Sequence, residues 1–340
     1  MGQCFFSGSN SGDGFHNYFE GVVPAWAKLN RYFMIKGGPG VGKSTLMKKV
    51  AERAEQNGET VERFYCSGDP DSLDAVRLVE KGIVFADATS PHAMDPKYPG
   101  AVEEIVNLGE QIDRNRIVRY RDRVEELTGK NKISYGRAYA FLKAAKALEE
   151  ERRKEICSCM DMEKIRELAK KLSFEAECDG ENKSGERHLF LDAISCKGKI
   201  SFAAQTEAGS AVYRVTGPYK ETVTDCLVSA MCAGQKELFC SPLCPERVAH
   251  MRLPKEKLFL TSGEGTDGTA VYSEDFLKKR CHETVSVYFA EARRMEELAM
   301  TCLTECKKIH DNLEDIYKEC VDFSTINERT EQLLNLLERL

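Results

Sequence analysis

Nine consecutive residues have the types and spacing needed to hold a chain of phosphate groups. They are Gly37, Gly38, Pro39, Gly40, Val41, Gly42, Lys43, Ser44 and Thr45. In this G-x-x-x-x-G-K-[ST] pattern, known as Walker A, the glycines let backbone N–H groups point at phosphate oxygens. Lys43 would reach the β- and γ-phosphates, and the Ser44 hydroxyl would coordinate Mg²⁺. This phosphate-binding loop (residues 37–45) therefore predicts a site for a nucleoside triphosphate, most simply ATP, with Mg²⁺.

The residues around the phosphate-binding loop predict the elements that position it. Residues 31–36 have the pattern of an apolar strand, and the residues after the loop have the spacing of an amphipathic helix. A helix that begins at the loop directs its positive end at the same phosphates. Further strands are predicted at residues 60–66 and 81–89.

Acidic residues near strand ends are the next candidates for chemistry. Asp87 closes an apolar run, and in a parallel sheet it would lie beside the phosphate-binding loop, so we expect it to act as the Walker B carboxylate on Mg²⁺. Capping of the next turn is the alternative. His92 follows in a Ser-Pro-His loop, where it would position the γ-phosphate or serve structure alone.

A Gly-Asp-Pro segment supplies three more carboxylates, Asp69, Asp71 and Asp74. We predict a turn that leads into a short helix with Asp71 or Ser72 as its cap. All three, and Asp69 above all, are candidates to hold a substrate hydroxyl, to act as a base or to contact a metal ion. Turn and cap chemistry explains the same residues equally well.

The second half of the chain repeats the order of these elements at an offset of roughly 175 residues. Residues 212–222 match the strand and the phosphate-binding loop, residues 238–241 match 64–67, and residues 257–261 match the strand that ends in Asp87. Several elements recur in the same order, which indicates an internal duplication.

The second loop lacks the features that bind triphosphate. It is shorter, keeps Gly217 alone, and places Lys220-Glu221-Thr222 against Gly42-Lys43-Ser44 in the sequence comparison. Loss of glycines removes the positive-φ freedom that an anion nest needs, and Glu221 adds negative charge. We therefore expect a degenerate copy that serves packing, partner binding or regulation.

These patterns predict two P-loop NTPase-like α/β domains in tandem, each a mainly parallel sheet flanked by helices with a long helical insertion. The predicted ranges are a first domain at 1–178 with a helical segment at about 102–176, a linker at 179–185, and a second domain at 186–340 with a helical segment at about 274–340. Arg114 and Arg116 in the first segment would bring an arginine to the γ-phosphate or lie on a solvated helix surface.

Composition narrows the class of protein. The 340 residues are 42% hydrophobic and 31% charged, no apolar run is long enough to span a membrane, and a cytoplasmic location is predicted. The net charge of −6 argues against general nucleic-acid binding. The 14 cysteines fall mostly in apolar patterns typical of free thiols. The helical segments could pair within the chain, with a protein partner or in a homo-oligomer.

The sequence resembles a family of bacterial tandem P-loop ATP-binding proteins over nearly its whole length. The resemblance rests on residues 36–49, 66–74 and 87–92. Members hold two P-loop domains with intact loops, and this chain departs from them at residues 217–222. The resemblance implies an ATPase or a nucleotide kinase.

Three functions follow from the sequence. The first is hydrolysis of Mg-ATP at the single intact loop. The second is transfer of the γ-phosphate to a small molecule or nucleotide held near Asp69. The third is a non-catalytic protein in which bound ATP changes partner contacts.

Overall fold

The computed structural model describes residues 2–175, 185–206, 210–231, 235–254, 257–265 and 267–339. The predicted linker at 179–185 lies outside them except for Gly185. Within these ranges, no helix is both long and apolar enough to cross a membrane. The twelve cysteines in the described ranges are free thiols. The cytoplasmic location stays a prediction.

The elements of the first half are, in chain order, β1 (Gln3–Phe6), β2 (Gly8–Ser11), β3 (Gly14–Asn17), β4 (Arg31–Lys36), α1 (Lys43–Gln56), β5 (Val61–Tyr65), β6 (Leu73–Leu78), β7 (Ile83–Asp87), β8 (Glu103–Asn107), α2 (Arg114–Ile117), α3 (Arg121–Cys159) and α4 (Met162–Glu175). Those of the second half are β9 (Gly185–Leu189), β10 (Asp192–Ser195), β11 (Gly198–Ser201), α5 (Ala203–Thr206), β12 (Ala211–Thr216), α6 (Lys220–Ala230), β13 (Gln235–Cys240), β14 (Val248–Leu253), β15 (Leu258–Thr261), β16 (Thr269–Tyr272), α7 (Thr284–Glu319) and α8 (Phe323–Leu337).

Each half forms a six-stranded sheet, and the two sheets have the same topology in the described residues. The first has the order β1-β5-β6-β7-β4-β8, and the second has the order β9-β13-β14-β15-β12-β16. In the first sheet β6 runs against its neighbours, and in the second β14 does so, while the remaining pairings are parallel. The predicted tandem of mainly parallel α/β units is therefore confirmed.

Two local predictions were wrong. Residues 73–78 form β6 rather than a helix, because a central strand buried on both faces lacks an alternating pattern. Residues 103–107 form the edge strand β8, so the helical segment predicted from residue 102 begins at Arg114. Ile105 is 47% exposed on that strand.

The start of α6 corrects the comparison of the two loops by one position. Lys220 is the first residue of α6, as Lys43 is the first residue of α1. Lys220 is therefore the structural counterpart of Lys43, and Glu221 is the counterpart of Ser44. The second loop keeps the lysine and loses the hydroxyl.

The last helix of each half packs on the sheet of the other half. Side chains of α4 (Ile165, Ala169 and Leu172) are buried in the same core as α6 and strands β12, β14 and β15. Side chains of α8 (Leu333, Leu334 and Leu337) are buried with α1 and strands of the first sheet. The long helices α3 and α7 pack against each other between these units. Each core thus needs a helix from the other half, and the domain boundaries at residues 178 and 186 stay a prediction.

The two sheets share an apolar layer that encloses charged groups. Phe5 and Phe64 of the first sheet are buried with Phe239 and Phe259 of the second. Next to this layer, Arg187 on β9 forms ion pairs with Glu62 on β5 and with a glutamate of β13. The helical segments α3 and α7 pair with each other within the chain, one of the alternatives noted above, and pairing with a partner or in a homo-oligomer stays a prediction.

Candidate functional site

The backbone of the phosphate-binding loop depends on glycine at two positions. Gly40 has φ +67° and Gly42, which caps α1, has φ +93°, both in the left-handed region that side chains disfavour. Between them, Val41 is 1% exposed and anchors the loop in the core of the first sheet. The loop leaves β4 and enters α1 as predicted.

Lys43 and Asp87 meet at the carboxyl end of the sheet. The Lys43 ammonium donates to the carbonyl oxygens of Gly37 and Gly38, both at 2.9 Å, and its Nζ lies 3.6 Å from Oδ2 of Asp87. Oδ1 of Asp87 accepts a hydrogen bond from the backbone N–H of Thr89 at 2.8 Å. Asp87 therefore caps the following turn, the alternative noted above, and also lies beside the loop lysine.

Ser44 ties the start of α1 to the neighbouring strand. Its hydroxyl oxygen accepts a hydrogen bond from the backbone N–H of Leu73 at 2.9 Å. Thr45, the last residue of the loop pattern, is exposed. The Ser44 oxygen is thus fixed next to the first residues of β6.

Asp74, one of the three carboxylates of the Gly-Asp-Pro segment, is a buried acid on β6. Ala75 pairs with Ala86 in antiparallel register, which places Asp74 across from Asp87. Burial, together with the charge of Asp87, raises the pKa of Asp74 to about 8. Its Oδ2 has no hydrogen-bond partner among the described residues. Asp74 is therefore largely protonated at neutral pH.

The oxygens near Lys43 suit Mg²⁺. Ser44 and Asp87, the predicted ligands, supply hard oxygen donors, and the carboxyl of Asp74 becomes a third when it loses its proton. In the described chain, no group of three or more His, Cys, Asp or Glu residues forms a metal cluster. Mg²⁺ needs no such cluster, because one or two carboxylates combine with waters and substrate phosphates.

His92 lies close to Asp74 and packs against two aromatic rings. Its ring stacks on Phe19 with centroids 4.5 Å apart and meets the edge of Phe15 at 5.1 Å. Its Nε2 is 3.4 Å from Oδ2 of Asp74, and this contact does not have hydrogen-bond geometry. Burial lowers the pKa of His92 to about 4, so the ring is neutral at neutral pH. A role for His92 towards phosphate stays a prediction.

Asp69 is held by its own turn and by the second half. Its oxygens accept hydrogen bonds from the backbone N–H of Asp71 and from the Ser72 hydroxyl, each at 3.2 Å. Its Oδ2 is 3.4 Å from the ammonium of Lys307 on α7. The structure therefore shows the turn chemistry that was the alternative, and a catalytic role of Asp69 stays a prediction.

The C-terminal part of α7 lies against the phosphate-binding loop. A Cβ atom on Gly38 would come within 2.7 Å of the Tyr317 ring, and one on Gly40 within 2.8 Å of the carbonyl oxygen of Glu314. Hydrogen bonds from His310 and Lys318 lower the pKa of Glu314 to about 2, although burial acts in the opposite direction. No pattern in a single sequence links residue 314 or 317 to residue 40.

Arg114 and Arg116, the predicted arginine donors, lie exposed on α2. The backbone N–H of Asp113, the cap of α2, donates to the carbonyl oxygen of Cys320 at 2.7 Å. The two arginines therefore lie beside the junction of α7 and α8, and their contact with a γ-phosphate stays a prediction.

The contact with α7 predicts a cost for enlarging Gly40. We expect Gly40→Ala to lower the free energy of unfolding by about 2–3 kcal/mol, because it adds overlap with Glu314 to the left-handed backbone strain. Gly58→Ala is the matched control, with φ +79° and open space around its Cβ, and should cost about 1 kcal/mol. Urea unfolding measures both. Equal losses would show that α7 does not restrict the loop.

A family model described as Nephrocystin 3, N-terminal, matches residues 22–115. This part of the chain runs from before β4 to the start of α2 and includes the phosphate-binding loop and Asp87. Neither a curated protein nor a solved structure matches the chain.

Proposed function

We propose that the first α/β unit binds Mg-ATP at residues 37–45 and hydrolyses it, while the second half acts as a structural or regulatory copy. The observation that carries this proposal is the loop itself: Gly40 and Gly42 adopt left-handed backbone angles, and Lys43 lies 3.6 Å from Asp87. The match to the Nephrocystin 3 N-terminal model supports it, since that domain is associated with NTPase-containing proteins.

In this proposal, different residues of the site bind the phosphates and the metal ion. The Lys43 ammonium would exchange its hydrogen bonds to the carbonyls of Gly37 and Gly38 for bonds to phosphate oxygens. The loop N–H groups and the positive end of α1 would stabilise the negative charge. Ser44 and Asp87 would hold Mg²⁺, which when bound neutralises charge on the β- and γ-phosphates.

Hydrolysis is favoured over transfer to an acceptor. Two of the three carboxylates proposed to hold an acceptor are already engaged, because Asp69 binds Ser72 and faces Lys307, and Asp71 forms an ion pair with Lys197. Release of these pairs would be needed before the segment could bind a substrate hydroxyl. Phosphate release measured with and without small-molecule and nucleotide acceptors separates the two reactions.

The contacts of α7 favour a switching component in this function. Tyr317 and Glu314 lie against Gly38 and Gly40, so ordering the loop around phosphates changes the surface on which α7 packs. Tight ATP binding with no turnover would indicate a purely non-catalytic switch. Absence of ATP binding would contradict all three functions.

Asp87→Asn tests the assigned role of the carboxylate. We expect phosphate release to fall about 100-fold, because a neutral amide holds the metal and its waters poorly. Binding of ATP should change by less than about tenfold, since the loop and Lys43 remain. Asp95→Asn, at a 97% exposed side chain, is the control and should hydrolyse ATP at the original rate. Unchanged turnover in Asp87→Asn would exclude this role.

A further inference from the structure

A cavity of about 580 Å³ opens at the second loop, where the first half has its phosphate-binding loop. Its wall includes the end of β12, the loop at residues 217–219, the first turn of α6 and the start of α7. The cations that line it are Arg152, Arg214, Lys220, Arg280 and Arg293. Three carboxylates, those of Glu221, Glu264 and Glu283, line it as well. Cations therefore outnumber carboxylates in the lining by five to three. Lys220 pairs with Glu264, and Arg152 and Arg293 pair with Glu149 and Glu296 beside the cavity, which leaves Arg214 and Arg280 without a carboxylate partner among the described residues.

Arg152 reaches this cavity from α3 of the first half. It is 2% exposed, and its guanidinium donates to Glu149 at 2.6 Å and to the carbonyl oxygen of Pro218 at 2.5 Å. Its Nε is buried with no hydrogen-bond partner in the described part of the chain. An unpaired buried N–H of a charged group costs stability unless a ligand accepts from it.

An aromatic ring holds two of the guanidinium groups in the cavity wall. Arg152 lies 4.9 Å and Arg293 lies 5.1 Å from the centroid of the Phe289 ring, both within cation–π distance. Arg214 contributes a second buried Nε without a hydrogen-bond partner among the described residues. Both Nε groups are enclosed by protein, and the guanidinium groups to which they belong line the cavity.

The charge, the guanidinium groups and the position point to one class of ligand. We propose that this cavity binds a small molecule that carries a phosphate monoester. Guanidinium groups bind phosphate through paired N–H···O contacts, which can replace the backbone nest that the single glycine, Gly217, cannot form. The positive end of the eleven-residue α6 faces the same space.

Glu221 sets an upper limit on the charge of the ligand. It occupies the first turn of α6, and its carboxylate lies 3.9 Å from Nη2 of Arg152. A triphosphate would place several negative charges against this carboxylate, whereas a monoester phosphate can pair with arginines at the other side of the cavity. The site is therefore distinct in chemistry from the phosphate-binding loop.

Calorimetry on the full chain tests this proposal with inorganic phosphate and with glucose 6-phosphate as probes. The double variant Arg214→Gln, Arg280→Gln should bind glucose 6-phosphate at least about tenfold more weakly, because it loses two cations of the wall. Lys43→Ala, which alters only the first loop, should bind it as the unaltered chain does. Arg119→Gln is the matched control, because it also removes an exposed arginine but one that does not line the cavity.

Three results would overturn the proposal. They are no heat with either probe at millimolar concentration, binding that is lost in Lys43→Ala, or binding that is unaffected in the double arginine variant. Arg280 is exposed, so Arg280→Gln alone preserves the fold and should still weaken binding about threefold. The Lys43→Ala result also keeps this test independent of ATP binding at the first loop.

Discussion

Lys43→Ala is expected to weaken the proposed binding of Mg-ATP by at least about 100-fold, equivalent to about 2.7 kcal/mol. The ammonium is the only formal positive charge that the nine-residue loop itself provides. Truncation leaves phosphate oxygens in a partly enclosed site without a charge-assisted donor, a loss of about 2–5 kcal/mol for a buried charged contact. Isothermal calorimetry with Mg-ATP measures the change directly.

Lys48→Ala is the matched control for this experiment. Lys48 lies on the exposed face of the same helix, α1, and its loss removes the same charge from the same element. We expect Mg-ATP to bind this variant within about twofold of the unaltered chain, because exposed charges are screened by salt. ATP binding that survives in Lys43→Ala would contradict the assignment of residues 37–45 as the site.

Arg187→Met lowers the free energy of unfolding by about 3–5 kcal/mol, the range for removal of one partner of a buried ion pair. Arg187 is 2% exposed and lies next to the apolar layer between the sheets. Its guanidinium donates to Glu62 at 2.9 and 2.7 Å and to Glu237 at 2.8 Å. Methionine fills a similar volume but leaves both carboxylates with one cationic partner fewer.

The remaining partners cannot replace Arg187. Glu62 keeps its cross-strand partner Arg77 at 2.9 Å, and Glu237 keeps Arg252, yet each carboxylate would retain an oxygen that has lost a donor. Such buried, partly satisfied charges are strongly destabilising. Urea unfolding at pH 7 measures the loss.

The destabilisation depends on pH in a defined direction. Burial alone would raise the pKa of Glu62, but Arg187 and Arg77 hold that pKa below its ordinary value of 4.5. A lowered folded-state pKa contributes stability that is present above the unfolded-state pKa and is lost as the pH falls through the folded-state pKa. The difference between Arg187→Met and the unaltered chain should therefore be larger at pH 7 than at pH 4.

Arg63→Met is the control for the buried ion pairs. Arg63 also makes two hydrogen bonds to one carboxylate, Glu55, at 2.6 and 2.7 Å, but at the surface of the first unit. We expect a loss of about 1 kcal/mol or less, since a solvated pair contributes little. A similar loss in both variants would show that burial between the sheets adds nothing to the ion pairs of Arg187.

The sequence predicted the fold and the loop because both leave local patterns. The glycine pattern and the apolar strand before it located β4, the loop and α1, and the repeated order of elements predicted the second sheet. The strand β6 was missed because burial on both faces removes the alternation that marks a strand. With β6 read as a helix, nothing placed Asp74 opposite Asp87.

Contacts between distant parts of the chain could not be predicted from one sequence. Tyr317 against Gly38, Lys307 against Asp69, and Arg152 against Pro218 join residues separated by long stretches of chain. Their side chains have no local spacing that marks them, because each acts through a partner that tertiary structure alone brings near. For the same reason, one sequence could not show that α4 packs in the core of the second half and α8 in the core of the first half.

The helices α4 and α8 each pack on the sheet of the other half, and this exchange indicates how the duplicated chain evolved. Phe6 at the end of β1 and Phe190 directly after the equivalent strand β9 hydrogen-bond to each other through their backbones in both directions at 2.9 and 3.0 Å. A single-copy ancestor with this packing would expose the apolar face that its own last helix does not cover, so it would need a second molecule to complete it. Fusion of an intertwined homodimer gives this geometry, and it leaves two equivalent loops free to differ in sequence, as residues 37–45 and 217–222 do.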